Sequence, residues 1–346
     1  LGFNVPQVER TIRMGSEGAA AVGDQDGPTL AELGEFAVIE RLTSGRPYPA
    51  NVQLGPGDDA AVLAAPDGRV VVSTDMLVEG RHFRFDWSSP HDVGRKAIAQ
   101  NAADIEAMGA AVTGFVVALG APTNAPAARA MELADGLWAE AGLMGAPIIG
   151  GDLVASPHWV VSVTVFGDLH GRAPVTRGGA RPGATVAVVG DLGVSAAGFS
   201  LWEKGIDDFD EFRSRHLAPV PPYGQGVVAA IAGATAMTDT SDGLVSDLRH
   251  IASASDVDIV LSGKALKPER LILGPAAEDV GVDPLDWVLG GGEDHALVAC
   301  FPAEVPPGWR AIGTVRERGA AGTARVLIDG QEWAGAAGWE SFAGDC

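Results

Sequence analysis

Arg69-Val70-Val71-Val72-Ser73-Thr74-Asp75 is a run of β-branched residues that stops on a carboxylate, and the turn sequence Pro66-Asp67-Gly68 leads into it. Three valines and a threonine favour an extended chain, so the stretch reads as a strand with an acid at its end. The same pattern recurs. Asp152 follows Ala146-Pro147-Ile148-Ile149-Gly150-Gly151, and Asp239 and Asp242 follow Ala236-Met237-Thr238. Asp58 and Asp59 stand in a glycine loop, Leu54-Gly55-Pro56-Gly57, just before apolar Ala60-Ala61-Val62-Leu63. Asp104 shares a helix face with Asn101, since residues three apart are neighbours on a helix. One aspartate beyond a strand is ordinarily a turn or cap residue. Recurrence beside glycine points further. Clustered carboxylates repel one another unless cations lie between them, and Mg²⁺ takes oxygen ligands that it shares with substrate phosphates. These residues alone indicate a multi-metal phosphate site and leave the substrate open.

Working outward from that strand, helices are expected over residues 33–42, 92–108, 127–143, 195–203 and 225–232, from their apolar periodicity. Strands are expected over 114–119, 159–166, 185–189 and 258–261. Gly and Pro accumulate over residues 167–183, which sets an expected boundary. The organisation is then a flexible extension over 1–28, a first domain over 29–167 and a second over 168–346. Two mixed halves favour an α/β or α+β fold over all-α or all-β architecture.

Composition excludes several function classes. Hydrophobic residues make up 47% of 346 residues, which fits neither disorder nor a coiled coil. No uninterrupted apolar run reaches about 18 residues, so no membrane span is expected. The first residues lack the charged-then-apolar order of a signal peptide, and Met14 is a candidate natural start. The two cysteines, Cys300 and Cys346, make neither a disulfide framework nor a zinc cluster, which fits a reducing, cytoplasmic setting. A net charge of −21 with no Lys/Arg run argues against nucleic acid as a partner. Most of that acidity needs no explanation beyond solubility.

Common phosphate-binding devices are also missing. The only Gly-Lys step, Gly263-Lys264, is followed by Ala265 and has Asp258 where a P-loop needs its first glycine. No protein-kinase motif set and no GxGxxG opening a helix occurs.

Six motifs in order supply a different scaffold: Leu54-Gly55-Pro56-Gly57-Asp58-Asp59-Ala60-Ala61; Ser73-Thr74-Asp75-Met76-Leu77-Val78-Glu79-Gly80 with His82-Phe83; Asn101-Ala102-Ala103-Asp104 with Ala107-Met108-Gly109-Ala110; Gly150-Gly151-Asp152; Asp239-Thr240-Ser241-Asp242-Gly243-Leu244; and Gly291-Gly292-Glu293-Asp294. From about Gly34 to Trp339 the chain closely resembles the thiamine-monophosphate kinase family. That family lies within the ATP-binding superfamily of aminoimidazole ribonucleotide synthetase and selenophosphate synthetase. The resemblance implies a two-domain fold, a homodimer paired through its N-terminal halves, and transfer of the ATP γ-phosphoryl group to thiamine monophosphate. It implies several Mg²⁺ ions at Asp59, Ser73, Thr74, Asp75, Asp104, Asp152, Asp239 and Asp242. Gly151, Asp152, Arg177 and Ser241 would contact ATP, while His82, Glu293 and Trp339 would face the thiamine substrate. Asp75, Asp104 and Arg177 are the candidate catalytic residues. Because the acceptor phosphate is already an anion, no strong general base and no phospho-enzyme are expected.

Departures from the family pattern are His295 and Ala296 after the Gly-Gly-Glu-Asp motif, where an aromatic and an acid are common. Asn101-Ala102-Ala103-Asp104 replaces Asn-Leu-Ser-Asp, and Leu153 replaces a hydroxyl residue. They bear on pocket shape and remove no proposed metal ligand. Rival readings are a hydrogenase-maturation carbamoyl dehydratase, selenophosphate synthetase, or a non-catalytic cation or nucleotide binder. Cys346 lacks the Pro-Arg lead-in of the first, and no cysteine near the N-terminus serves the second.

Overall fold

The computed structural model describes residues 27–55, 60–319 and 322–335. Asp58, Asp59, Trp339, Cys346 and nearly all of the 1–28 extension lie outside the described residues. The described residues begin with two short helices, α1 (Leu30–Leu33) and α2 (Glu35–Thr43). The single helix expected here is broken at Gly34, whose φ of 76° leaves the helical region. A two-stranded ribbon, β1 (Val52–Leu54) and β2 (Val62–Leu63), precedes the first main sheet.

That sheet is built from β3 (Val71–Val78), β4 (Ala111–Ala121), β5 (Ile148–Ala155) and β6 (Val160–Asp168), in the order β3-β6-β4-β5. Only β4 and β5 run parallel. Helices α3 (Pro90–Ala107) and α4 (Ala127–Leu143) cover one face. The helix α3 starts where Ser89 and Asp92 exchange side chain-to-backbone bonds, with Pro90 at the first helical position. Leu77, Val161, Val163, Val165, Phe115 and Leu119 meet Val93, Ala97, Ile98 and Ile105 of α3 and Leu133 and Leu137 of α4 in one core. Strand alternation sends the intervening residues to the other face, which nothing among the described residues covers: Val72, Met76 and Val154 are 59%, 51% and 53% exposed.

The strand read as ending on Asp75 continues to Val78, because Met76-Leu77-Val78 pairs with Val160–Ser162 and buries Leu77. Asp152 likewise sits inside β5. Both carboxylates project from mid-strand, a correction to the strand-end reading.

The second half forms a seven-stranded sheet from β7 (Thr185–Val189), β8 (Ala236–Asp239), β9 (Val257–Leu261), β10 (Leu297–Phe301), β11 (Arg310–Glu317), β12 (Val326–Ile328) and β13 (Gln331–Glu332). Its order is β13-β12-β9-β11-β7-β10-β8, with only β9 and β12 parallel. Its helices are α5 (Val194–Lys204), α6 (Asp210–Leu217), α7 (Gln225–Ile231), α8 (Leu244–Ser255), α9 (Lys267–Val280) and α10 (Pro284–Gly290). Every residue of β10 is buried because both faces of the sheet are covered.

Helix α3 joins the two sheets. Ala107 at its end packs with Met237, Ala299 and Phe301 of the second sheet. Buried Glu106 accepts backbone N–H bonds from Gly224 (2.7 Å) and Gly226 (2.8 Å) at the start of α7. No helix among the described residues is long and apolar enough to cross a membrane.

Close packing of α3 on α4 depends on two glycines. A Cβ at Gly136 would lie 2.0 Å from the His91 carbonyl oxygen, and one at Gly94 would lie 2.1 Å from that of Leu133. Gly142, on the same helix α4, has open space around it. Gly136→Ala is expected to destabilise the protein by about 1–3 kcal/mol through overpacking. Gly142→Ala should stabilise it by up to about 1 kcal/mol through helix propensity. Urea denaturation midpoints check this, and shifts of the same sign in both variants would contradict the packing account.

Candidate active site

The carboxylates converge where α3 passes between the sheets. Ser73 and Asp75 alternate with Thr74 along β3 and project on the face that carries α3. Ser73 donates its hydroxyl to Asp104 Oδ2 at 2.6 Å, and the Asp75 backbone N–H donates to Asn101 Oδ1 at 3.0 Å. Asn101 is itself fixed, donating from Nδ2 to the Ala97 carbonyl one helical turn back (2.8 Å). From the second sheet comes Asp239, the last residue of β8, with its Oδ2 3.0 Å from Nδ1 of buried His295. Asp242 follows in the loop before α8. Asp247, in the first turn of α8, accepts N–H bonds from Asp242 (3.1 Å) and Gly243 (3.0 Å) through Oδ2. Ligand atoms of Asp242, Asp247 and His250 all lie within 4.8 Å of one another.

Crowding these acids has an electrostatic consequence. Burial pushes the Asp104 carboxyl up to about 7, with the Asp239 and Asp75 charges adding and the Ser73 bond opposing. Burial and then Asp239 and Asp242 push Asp247 up to about 8. Burial raises Asp75 and Asp242 too, with Asp239 adding to both. His295 would be lowered by burial, but its bond to Asp239 and the acids around it raise it. A pocket of oxygen donors that holds protons for want of positive charge fits hard divalent cations such as Mg²⁺. Ser73, Asp75, Asp104, Asp239 and Asp242 are residues that could hold them.

Other expected residues fall elsewhere. Thr74 projects from the uncovered side of the first sheet, where its Oγ1 lies 3.1 Å from that of Thr164. Asp152 is in register with Ala118, Ser162 and Met76, so it shares that open face. Two strands separate β5 from β3, which puts Asp152 about 14 Å away across the sheet. Gly151 packs so tightly that a Cβ would lie 2.0 Å from the Val117 carbonyl oxygen. Exposed Arg177 faces Asp242, whose carboxyl it acts to lower. The Ser241 carbonyl accepts from the Glu293 N–H at 2.8 Å, which ties the two loops together.

Beyond this cluster, half-buried His82 accepts the Val78 N–H on Nδ1 (3.0 Å). Burial lowers its pKa, so the ring is neutral with its proton on Nε2. Glu293 has a left-handed backbone (φ 63°) and lies 3.0 Å from Lys96 Nζ and 3.4 Å from His216 Nδ1. Lys96, His216, Asp247 and His250 have no place in the sequence-based expectations. Asp247 alone carries a local signal, an acid in the first turn of a helix.

The family described as AIR synthase related protein, N-terminal domain, matches residues 57–169. Thiamine-monophosphate kinase of Mycobacterium tuberculosis is 64% identical over 317 residues, covering 92% of this chain and 94% of that protein. The Corynebacterium glutamicum thiamine-monophosphate kinase is 43% identical over 326 residues, with 92% and 96% covered. A solved structure of AaThiL complexed with AMPPCP and TMP superposes with a TM-score of 0.71 at 28% identity, covering 92% of this chain and 100% of that one. HypE, a hydrogenase maturation protein solved with ATP, is 18% identical with a TM-score of 0.64 over 79% of this chain and 84% of that one, a likeness of fold.

A metal-free Asp104 that titrates near 7, against 3.8 for the free side chain, makes this group stabilising at low pH. That contribution is lost as pH rises from about 4 to about 7, because the folded state binds the proton more tightly. Divalent cations compete with the same proton. The rise in melting temperature on adding Mg²⁺ should therefore be larger at pH 8 than at pH 6, and Asp104→Asn should shrink it. An equal rise at both pH values would contradict the assignment.

Proposed function

The chain belongs to the thiamine-monophosphate kinase family and is an enzyme of that type, and from this premise we propose that it transfers the γ-phosphoryl group of ATP directly to the phosphate of thiamine monophosphate, in line, giving thiamine diphosphate and ADP. The observation that carries the reading is the convergence of Ser73, Asp75 and Asp104 with Asp239 and Asp242 from the other sheet. Two anionic phosphates must approach each other, and their mutual repulsion is the main obstacle. Bound Mg²⁺ ions supply the positive charge that offsets this repulsion. This chain's residues hold that charge in place, and Arg177 at the rim adds a cation toward the transferred group. Ser73 donates to the Asp104 carboxylate and so orients it before substrate arrives, while Asn101 fixes the main chain at Asp75.

No side chain needs to act as nucleophile or strong base, because the acceptor is a phosphate oxygen already ionised near neutral pH. Cys300 is unsuited to either role, since it lies inside β10, where burial pushes its thiol up to about 12. Glu293 and His82 are assigned to the thiamine end, and Trp339 joins them on the resemblance alone. Residues 29–167 and 168–346 serve as the two domains of a cytoplasmic enzyme.

We further assign a homodimer. The uncovered face of the first sheet exposes Val72, Met76 and Val154, apolar side chains that a second copy would bury. Thr74 and Asp152 then act across that pairing: facing away from their own protomer's cluster, they would meet the nucleotide and metals of the other.

Incubation with Mg²⁺, ATP and thiamine monophosphate should yield thiamine diphosphate and ADP in equal amounts. Asp75→Asn and Asp104→Asn should each lower turnover on the order of 100-fold or more with the circular dichroism spectrum intact. Absence of the diphosphate product with wild-type protein would overturn the activity, and wild-type turnover in both variants would remove these residues from the site. A monomeric mass by light scattering would count against the dimer.

A further inference from the structure

Lys96 is 2% exposed, in the middle of α3. Lysine is almost never buried to this degree unless its charge is paired. Its ammonium has three donors, and three partners receive them: the His82 carbonyl at 3.0 Å, the His216 carbonyl at 3.4 Å and Glu293 Oε1 at 3.0 Å. No donor is left for a ligand. The partners come from three separate elements, the turn after β3, the end of α6 and the Gly-Gly-Glu-Asp loop. Two of them, His82 and Glu293, are the residues assigned above to the thiamine end.

We propose that Lys96 is a positioning residue for substrate recognition, locking the Glu293 carboxylate and the main chain at His82 into one geometry. The inference rests on the proposed thiamine-monophosphate kinase activity and deepens it. Glu293 needs such a lock. It is a non-glycine residue in a left-handed conformation, and its loop is pressed so close to Ser241 that a Cβ at Gly292 would lie 2.5 Å from the Ser241 carbonyl oxygen. Burial would push the Glu293 carboxyl up, but Lys96 and then His216 outweigh it and hold it at about 2. His216 is itself wedged by Phe199 and Trp87, with ring centroids at 5.3 and 6.4 Å, and its Nδ1 lies 3.2 Å from Ser195 Oγ.

This arrangement also defines what Glu293 reads. Its negative charge is spent on Lys96, so it offers a ligand little net attraction for a cation. Each carboxylate oxygen keeps an unused lone pair, so the group recognises an N–H donor such as an amino-substituted heterocycle. Helix α3 thereby carries both ends of the site. Lys96 sets the ring end, and Asp104, eight residues on and about 12 Å along the axis, sets the phosphate end.

The test uses the full-length enzyme and both substrates, after wild-type turnover of thiamine monophosphate has been measured. Lys96→Met, which keeps the aliphatic stem, should raise KM for thiamine monophosphate about tenfold or more, with kcat within about threefold and KM for ATP unchanged. Because Lys96 acts through Glu293, adding Lys96→Met to Glu293→Gln should raise that KM no further. This double variant leaves no buried charge unpaired, so it reports even if Lys96→Met alone does not fold. A wild-type KM in Lys96→Met, equal losses for both substrates, or a further tenfold rise in the double variant would overturn the proposal. Failure of wild-type turnover would instead overturn the activity on which it rests.

Discussion

Mutual repulsion among Asp75, Asp104, Asp239, Asp242 and Asp247 is the constraint around which the rest of the molecule is arranged. Burial and neighbouring like charges raise the pKa of Asp75, Asp104, Asp242 and Asp247, and the repulsion would drive their elements apart unless protons or cations intervene. The fold opposes that with apolar packing on both sides. The first sheet buries Leu77 and Val163 against α3, and the second buries Leu297, Ala299 and Phe301 behind Asp239 and His295. The acids are thus held together by packing that involves none of them. Polar residues of this kind give up stability for function, which is where a fold is expected to depart from its own local rules.

Helix α3 transmits that arrangement. It touches the first sheet along its length, the second sheet at Ala107, and α7 through the Glu106 carboxylate. A shift of this one helix would move Asn101 and Asp104 relative to Asp239, and Lys96 relative to Glu293. With the proposed assignments, phosphate and ring recognition would be coupled through this single helix. The glycines at its crossing with α4 bring the two helix backbones into direct contact, so α3 is seated firmly on the sheet that carries Asp75.

Much of this was legible in the sequence, for reasons that differ by residue. The helix over 127–143 and the strand over 185–189 follow directly from apolar periodicity and occur over those residues. Asp75, Asp239 and Asp242 stand out because acids follow apolar runs, and Asp104 because it shares a helix face with Asn101. Their meeting point was not legible, since it depends on two sheets closing on α3. The facing of Thr74 and Asp152 was hidden for a simpler reason: side chains alternate at every residue, so only the pairing register decides which face a strand residue takes. The register of Asp152 with Met76 and that of Asp75 with Val163 put them on opposite sides. Lys96 is the hardest case. On a helix an isolated lysine reads as a solvated charge, and its burial depends on His82, His216 and Glu293, residues far apart in the chain. His295 was visible as a departure from the family pattern, but its partner Asp239 lies 56 positions away.

The central claim is that these carboxylates form one multi-cation phosphate site shared by both halves of the chain. Its most direct test is anomalous diffraction from crystals grown with Mn²⁺ and a non-hydrolysable ATP analogue. The account predicts more than one manganese peak between Asp75, Asp104 and Asp239, with nucleotide phosphate oxygens completing their coordination. A nucleotide bound elsewhere, or a carboxylate cluster without manganese in a crystal that holds the metal at other positions, would contradict it.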